Sequence, residues 1–450
     1  MGAEVVIVPR GGGDEVGASF YEMIVDDEHH AFDCGIRPSR FKTDIFPIHI
    51  KDEQLRYFLS EMSVKPERDP LPNLVDVPEI KSLFLTHGHL DHVGAVPVLA
   101  RKDRHIVIYA TPVTKRFCEL HWFETVKIAE RNEEVPLFSK SDAEFALSRI
   151  VEILPGQLVK VNDKFSVRPI EAGHILGAVS YVIYIDGKPV GFHTGDFSCN
   201  NQRTIPGAPE ARFDHLPFLT IDSTRLTEKN LPRETVEEEC LDRIRQAHLQ
   251  GMKIRFLVFS IGRAQEAFAL AKEACPEAPI WIDGQAKEVS ALYAEHLNGV
   301  FSGIEKHFIL DETQRQRIIY SEEPSIVIVP SAMQFGGHSR KYAVYGCERK
   351  DHLFISLGWI DPCSPEYAFF ESSKGDVFRF GDKDKPVFCQ TARYNLTAHC
   401  DGEDVLAVRN RLNAEKVILV HGDGEKMDQF VEEHHNQGFM KGVNNKPILI

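Results

Sequence analysis

Three imidazoles and one carboxylate stand within six residues in His87-Gly88-His89-Leu90-Asp91-His92. Imidazole nitrogen and carboxylate oxygen are ligands for zinc and manganese, and this spacing lets one short loop hold two ions. A solvated turn is the other reading of a His-rich loop, because histidine is often only partly buried. The residues in front of the cluster favour the ligand reading. Leu83-Phe84-Leu85 predicts a buried strand, and Val93 to Leu99 predicts a turn into a helix. Ligands at the C-terminal end of a strand sit where open α/β sheets place their sites. Gly88 is expected to give the loop the freedom to fold its imidazoles inward.

The chain that must position these groups has 450 residues, enough for two or three domains and a large core. It is 43% hydrophobic and 26% charged, an ordinary balance for a globular enzyme. The net charge of −15 argues against sequence-blind affinity for a polyanion. A nucleic-acid substrate would then need a local basic groove or bound metal to attract it. The N-terminus enters a strand-like run with no basic leader, and no apolar run approaches the ~18 residues of a membrane span. Nine cysteines are scattered without a Cys-x-x-Cys pair, which predicts reduced thiols in a cytoplasmic protein.

Along the chain, residues 4–9 predict a first strand, followed by a glycine-rich turn from Gly11 to Gly17 that lacks a Walker lysine. Residues 18–25 and 30–34 predict a hairpin that ends at Asp33. Residues 40–76 read as a polar surface excursion with one helix from Glu53 to Met62. A helix over 112–131 carries Phe117, Leu120, Phe123 and Val126 at helical spacing. His174 lies in a loop between strand-like runs, and Thr194-Gly195-Asp196 follows the next hairpin. Beyond it, Leu219-Thr220-Ile221-Asp222 is an apolar strand ending in an acid. An alternating β/α pattern then runs to about residue 384. The chain closes with Thr397-Ala398-His399-Cys400-Asp401, a helix, and Val420-His421-Gly422-Asp423.

The ordered set of Asp33, the His87–His92 cluster, His174 and Thr194-Gly195-Asp196 resembles the motif series of the metallo-β-lactamase superfamily. The second half resembles its β-CASP branch, which processes nucleic acids. Asp222 matches that branch's motif A, His399 its motif B, and His421 its motif C, which in RNA-acting members is a His in Val-His-Gly-Glu. Gly262-Arg263-Ala264-Gln265-Glu266 is similar to the branch's Gly-Arg-x-Gln-Glu. Ser331-Ala332-Met333 with Gly336-Gly337 is similar to its Ser-Gly-Met…Gly-Gly turn, with Ala332 in place of Gly. Thr397 likewise replaces Ser, and Gly358-Trp359-Ile360 matches the Gly-Tyr-Gln turn only loosely. The resemblance implies an α/β fold: a metallo-β-lactamase αββα sandwich built from residues 1–205 and 385–450, with a β-CASP α/β domain inserted at 206–384.

Position by position, the resemblance implies two metal ions, Zn²⁺ or alternatively Mn²⁺. His87, His89 and His174 would hold one, Asp91, His92 and His421 the other, with Asp196 bridging and Asp33 supporting from behind. Asp91, His399 and Asp222 would be catalytic, His399 as general acid oriented by Asp222. Two ions sharing a hydroxide suit hydrolysis of an RNA phosphodiester. Ser331, Gly336, Gly337, His338, Ser339, Arg340 and Arg263 would meet the substrate, an RNA taken as single-stranded. No membrane partner is implied, and a homodimer is the candidate assembly. Other readings stay open. Asp222 also reads as a strand-end cap, His399 as a polar helix start, and His421 as a core histidine. For the whole protein the alternatives are a single-strand DNA nuclease, a silent scaffold subunit, and a small-molecule hydrolase on the same core.

Overall fold

Alternation around the first cluster sets the layers. In the computed structural model, which describes residues 4–37, 45–56, 69–331, 337–362 and 364–450, the strand Ser82–Phe84 is buried throughout. Successive side chains of a strand point to opposite faces. Phe84 therefore enters one core with Phe32, Phe165 and Tyr181, while Leu83 and Leu85 enter another with Val96, Leu99 and Trp122. Burying Phe84 alone contributes roughly 1.5–3 kcal/mol. Trp122, from the helix Pro112–Arg131, also donates its indole N–H to the carbonyl of Val93, 2.9 Å away.

The first core lies between two seven-stranded sheets. One sheet runs, in spatial order, through residues 448–449, 5–11, 20–25, 28–32, 82–84, 107–110 and 150–152. The other runs through 439–441, 414–420, 216–222, 188–193, 179–185, 165–171 and 159–160. Helices cover the first sheet on its outer face (Val96–Lys102, Pro112–Arg131, Lys140–Ser148), and Gly402–Leu412 packs on the strands 216–222 and 414–420 of the second. This is the αββα sandwich.

His30 sits in this sandwich with no exposed surface, its ring stacked on Phe165 at 4.1 Å and its Nδ1 2.8 Å from the Ser82 hydroxyl. Burial lowers its pKa to about 4, with the neighbouring His29 adding to the shift. The unfolded chain therefore takes up this proton first as the pH falls below ~6.5. Stability is expected to drop from about pH 6.5 to about pH 4 and to show no further contribution below that. Urea midpoints across this range should show a shallower acid loss in His30→Gln than in the wild type. Parallel pH curves would contradict the assignment.

A second unit is organised around a five-stranded, all-parallel sheet in the order 280–282, 326–330, 253–258, 352–357, 390–394. The strands Lys253–Val258 and His352–Leu357 are buried at every position, as expected of a parallel sheet covered on both faces. Residues 40–67 and 230–397 make up this unit, and 1–39, 68–229 and 398–450 make up the sandwich. The division differs from the expected boundaries at 206 and 384. Leu216–Asp222 pairs in parallel with both 188–193 and 414–420, so it is an interior strand of the sandwich. Gln390–Tyr394 pairs with 352–357, so it edges the five-stranded sheet. Part of the expected surface excursion is also structural, because Ile45–His49 pairs with Val377–Phe380. The helix expected over Glu53–Met62 is helical at 53–56, and its remainder lies outside the described residues. No helix among the described residues is long and apolar enough to cross a membrane.

Candidate active site

Most of the sandwich residues singled out by sequence lie at strand ends or in the loops that follow them, and Asp91 and His92 lie in a one-turn helix just beyond such a loop. His87 and His89 follow the strand Ser82–Phe84, and Asp91 and His92 occupy the short helix Leu90–Val93. His174 follows Phe165–Glu171, Asp196 follows Lys188–His193, Asp222 ends Leu216–Asp222, and His421 follows Ala414–Val420. The fold thereby collects these imidazoles, Asp91 and Asp196 into two adjoining groups, His87–His89–His174–Asp196 and Asp91–His92–His421, and brings Asp222 and His399 together with Asp196 in a third. Within each group one ligand atom per residue lies within 4.8 Å of all the others.

The nitrogens in the first group face one another. His89 Nδ1 is 3.1 Å from His87 Nε2 and 3.2 Å from His174 Nε2, and Asp196 Oδ2 lies 3.6 Å and 3.7 Å from those two Nε2 atoms. His174 Nδ1 donates to the Ala398 carbonyl at 2.8 Å, which leaves Nε2 as the bare acceptor that faces the group. In the second group His92 Nε2 and His421 Nδ1 both lie 3.2 Å from Asp196 Oδ1, and His421 Nε2 lies 3.3 Å from Asp91 Oδ2. Despite this crowding, Asp196 Oδ1 and His421 Nε2 are buried with no well-formed hydrogen bond among the described residues. Buried polar atoms normally find partners. Converging acceptors left unsatisfied fit divalent cations, and the nitrogen–oxygen donor set without thiolate suits zinc or manganese. Asp196 faces both groups through its two oxygens.

Supporting contacts fix these candidate ligands. Asp33, buried and held at φ 56°, accepts from Thr86 N at 2.8 Å, Thr86 Oγ1 at 2.7 Å and His92 Nδ1 at 2.8 Å. The family resemblance implied a supporting place for Asp33, and the structure puts its carboxylate against His92. Burial raises the Asp33 pKa, against the opposing pull of His92. His421 also has left-handed backbone, at φ 56°, a rare and costly conformation for a histidine. Its amide donates to the Gly12 carbonyl at 2.7 Å, which gives the glycine-rich turn a structural purpose. Thr86, Thr224 and Gln202 were not visible as site residues. Thr224 donates to Asp222 Oδ1 at 2.6 Å and to the His421 carbonyl at 3.0 Å. Gln202 donates to the carbonyls of Gly173 and His174 at 2.7 and 2.8 Å. Thr224 stands two residues after an aspartate, a turn signal that was available. Gln202 carries no local signal.

The conformational role expected for Gly88 gives way to a steric one. Gly88 does not have positive φ, and a Cβ there would lie 2.4 Å from Phe117 Cβ. Gly195 needs both properties, with φ 55° and a built Cβ 2.6 Å from Thr86 Cβ. Gly88→Ala is expected to push the His loop off the helix Pro112–Arg131 and destabilise the fold by about 1–3 kcal/mol, the usual range for overpacking. Its thermal midpoint and its content of bound divalent metal should both fall, and wild-type values for both would contradict the steric reading.

His399 and Asp222 form a different kind of contact. His399 Nδ1 is 2.7 Å from Asp222 Oδ2, a hydrogen-bonded pair in which Asp222 also accepts from Thr224. Burial disfavours the His399 imidazolium, but the Asp222 charge and hydrogen bond raise its pKa above the ordinary histidine value. Burial likewise works against the Asp222 carboxylate, and His399 holds its pKa below the usual range. The His399 ring lies 4.8 Å from that of His174, and its side chain is 20% exposed beside the 1% exposed Asp222.

The residues expected to touch substrate are less uniform. Ser331 is buried and donates its hydroxyl to Glu366. Arg263 is buried and donates to the Leu396 carbonyl at 2.5 Å, and burial lowers its pKa to about 10. Both therefore serve the interior of the second unit. Ser339 is buried at the start of the helix Ser339–Gly346. Gly337 is exposed, His338 and Arg340 are partly exposed, and Gly336 lies outside the described residues.

Comparison with known proteins agrees with this geometry. Residues 55–251 match the "Beta-lactamase superfamily domain" family and residues 384–448 the "Zn-dependent metallo-hydrolase RNA specificity domain" family. The chain is 25% identical over 433 residues to a probable RNase MJ4 of Methanocaldococcus jannaschii, covering 93% of each chain. It is 26% identical to the transcription termination factor FttA of Pyrococcus abyssi over 98% of this chain and 70% of that one. A solved structure of a protein of unknown function from Enterococcus faecalis V583 superposes with a TM-score of 0.59 at 15% identity, over 99% of this chain and all of that one, and so shares the fold. With the motif series collected in one sandwich and both family models matched in order, the chain belongs to the β-CASP branch of the metallo-β-lactamase superfamily.

Proposed function

We propose that this protein is a metal-dependent ribonuclease that hydrolyses RNA phosphodiester bonds, with single-stranded RNA as substrate. The observation that carries this reading is the Asp222–His399 pair standing beside the two convergent ligand groups. A relative named as an RNase and a matched RNA specificity domain support the choice of RNA.

His87, His89, His174 and Asp196 would hold one cation, and Asp91, His92, His421 and Asp196 the other, with Zn²⁺ or Mn²⁺ suited to the donors. Such ions, when bound, supply Lewis acidity toward phosphoryl oxygen and lower the pKa of water. The protein's own residues do the rest. Asp33 fixes the ring of His92, and the Ala398 carbonyl fixes that of His174. Asp222 keeps a proton on His399 Nδ1 and orients the ring, so that His399 protonates the leaving oxygen. In the second unit Gly337, His338 and Arg340 remain the accessible candidates for contacts to the RNA. The free cysteines among the described residues agree with a cytoplasmic setting.

The test is cleavage of one single-stranded RNA and its DNA counterpart, each with a 5′-hydroxyl or a 5′-monophosphate, by zinc- or manganese-loaded protein. RNA should be cut and DNA spared, and the product ladder will show endonucleolytic or 5′-exonucleolytic action. Cleavage of DNA alone, or of neither polymer, would overturn the proposal.

A further inference from the structure

Two cysteines that the proposed chemistry leaves unused meet beside its acid. Cys400 directly follows His399, and Cys199 lies three residues after Asp196. Their sulfurs are 3.4 Å apart, with the Cys400 thiol donating to Cys199. Backbone contact holds the segments together, because the Cys400 amide donates to the Phe197 carbonyl at 3.1 Å. Cys400 is 1% exposed, whereas Cys199 is partly open to solvent. The Cys400 hydrogen bond, helped by the Arg411 charge and opposed by burial and the Asp404 charge, lowers the Cys199 pKa below the ordinary thiol value. One partner is thus the accessible, thiolate-favouring sulfur and the other a buried neighbour in contact with it, the division of labour of a reactive thiol pair.

We infer that Cys199 and Cys400 are a redox modification site, at which a peroxide forms a disulfide that displaces His399 and slows cleavage. The Cys199 thiolate attacks one peroxide oxygen, the O–O bond breaks, and the departing hydroxide takes a proton to become water. The Cys400 sulfur then attacks the resulting sulfenic sulfur, the S–O bond breaks, and a second water leaves with the Cys400 proton. Two thiols lose two electrons and the peroxide is reduced to two waters. A thiol reductant reverses the change by exchange.

The consequence follows from what the linked segment carries. Residues 398–400 supply the carbonyl that fixes His174, the His399 ring held by Asp222, and the Cys400 sulfur. A disulfide requires sulfurs at ~2.05 Å with a torsion near ±90°. The 3.4 Å separation must therefore close by more than an ångström next to His399. A misplacement of about 1 Å at a reacting group can cost roughly 10²-fold in rate.

The effect on cleavage rests on the role proposed for His399, whereas the crosslink does not, and the experiment reads the two separately. Metal-loaded full-length protein is treated with hydrogen peroxide, then with or without dithiothreitol. Peptide mass spectrometry follows the 199–400 linkage and single-turnover assays follow RNA cleavage. The expected result is a linked 199–400 peptide, a fall in cleavage of at least tenfold at unchanged metal content, and recovery of both with dithiothreitol. Cys199→Ser, with Cys400→Ser as an independent second variant, should form no link and keep its activity in peroxide. Absence of the linkage in folded wild type would overturn the site. A linkage without loss of cleavage, or an equal loss in Cys199→Ser, would overturn its effect on His399. If the protein proves to cut no RNA, the linkage still decides whether the site exists.

Discussion

Asp196→Ala is expected to lose both metal binding and RNA cleavage. Asp196 faces both candidate ligand groups, with Oδ2 toward His87 and His174 and Oδ1 toward His92 and His421. Removing it takes a negative charge shared by two clusters of imidazoles from a buried site. Lewis-acid stabilisation by bound metal is worth several kcal/mol, and a loss of about 4 kcal/mol corresponds to roughly 10³-fold in rate. Metal analysis after gel filtration should show depleted divalent metal, and single-turnover cleavage should fall at least 10³-fold. The fold should survive, because Asp196 lies in a loop after its strand and the two sheets pack through apolar side chains. Full metal content with full activity would remove Asp196 from the centre of the site.

His399→Ala is expected to separate chemistry from metal binding. His399 shares a group with Asp222 and Asp196, but its Nδ1 is taken up by Asp222 and it is absent from the His87–His89–His174–Asp196 and Asp91–His92–His421 groups, so the variant should retain its metal. General acid catalysis contributes typically 10²–10⁴-fold, and cleavage should fall within that range. Asp222→Asn should fall in the same direction, because the amide cannot stabilise the imidazolium that Asp222 supports. The useful readout is the leaving group. An RNA whose leaving oxygen is replaced by the better-leaving sulfur needs no acid, so His399→Ala should recover most of its rate on that substrate. Equal losses on both substrates would make His399 a structural residue.

The candidate ligands of the sandwich were legible in sequence because each motif is short and each sits close behind an apolar strand. His87, His89, Asp91 and His92 need only six residues of chain to come together. The contacts that aim them are longer in range. Ala398 reaches His174 across 224 residues, and Asp33 reaches His92 across 59. The Asp33 link was suggested only by family resemblance, and the Ala398 link by nothing in the sequence. Unit boundaries were blurred for the same reason. An apolar strand such as Leu216–Asp222 looks alike whether it closes one domain or opens the next, and only its pairing with 414–420 decides. Arg263 and Ser331 show the reverse limit. A polar residue in a motif reads as a substrate contact, but the structure gives each an internal partner, Leu396 and Glu366, and burying it without one would be costly.

The most direct measurement is a titration of metal-free protein with Zn²⁺ or Mn²⁺, following equivalents bound and RNA cleavage in the same samples. The expected result is no cleavage in chelator, full activity as the site fills toward two equivalents, and loss of both binding and activity in Asp196→Ala. Cleavage that persists at the same rate in metal-free protein, or a fully loaded wild type that leaves RNA intact, would contradict a metal-dependent ribonuclease.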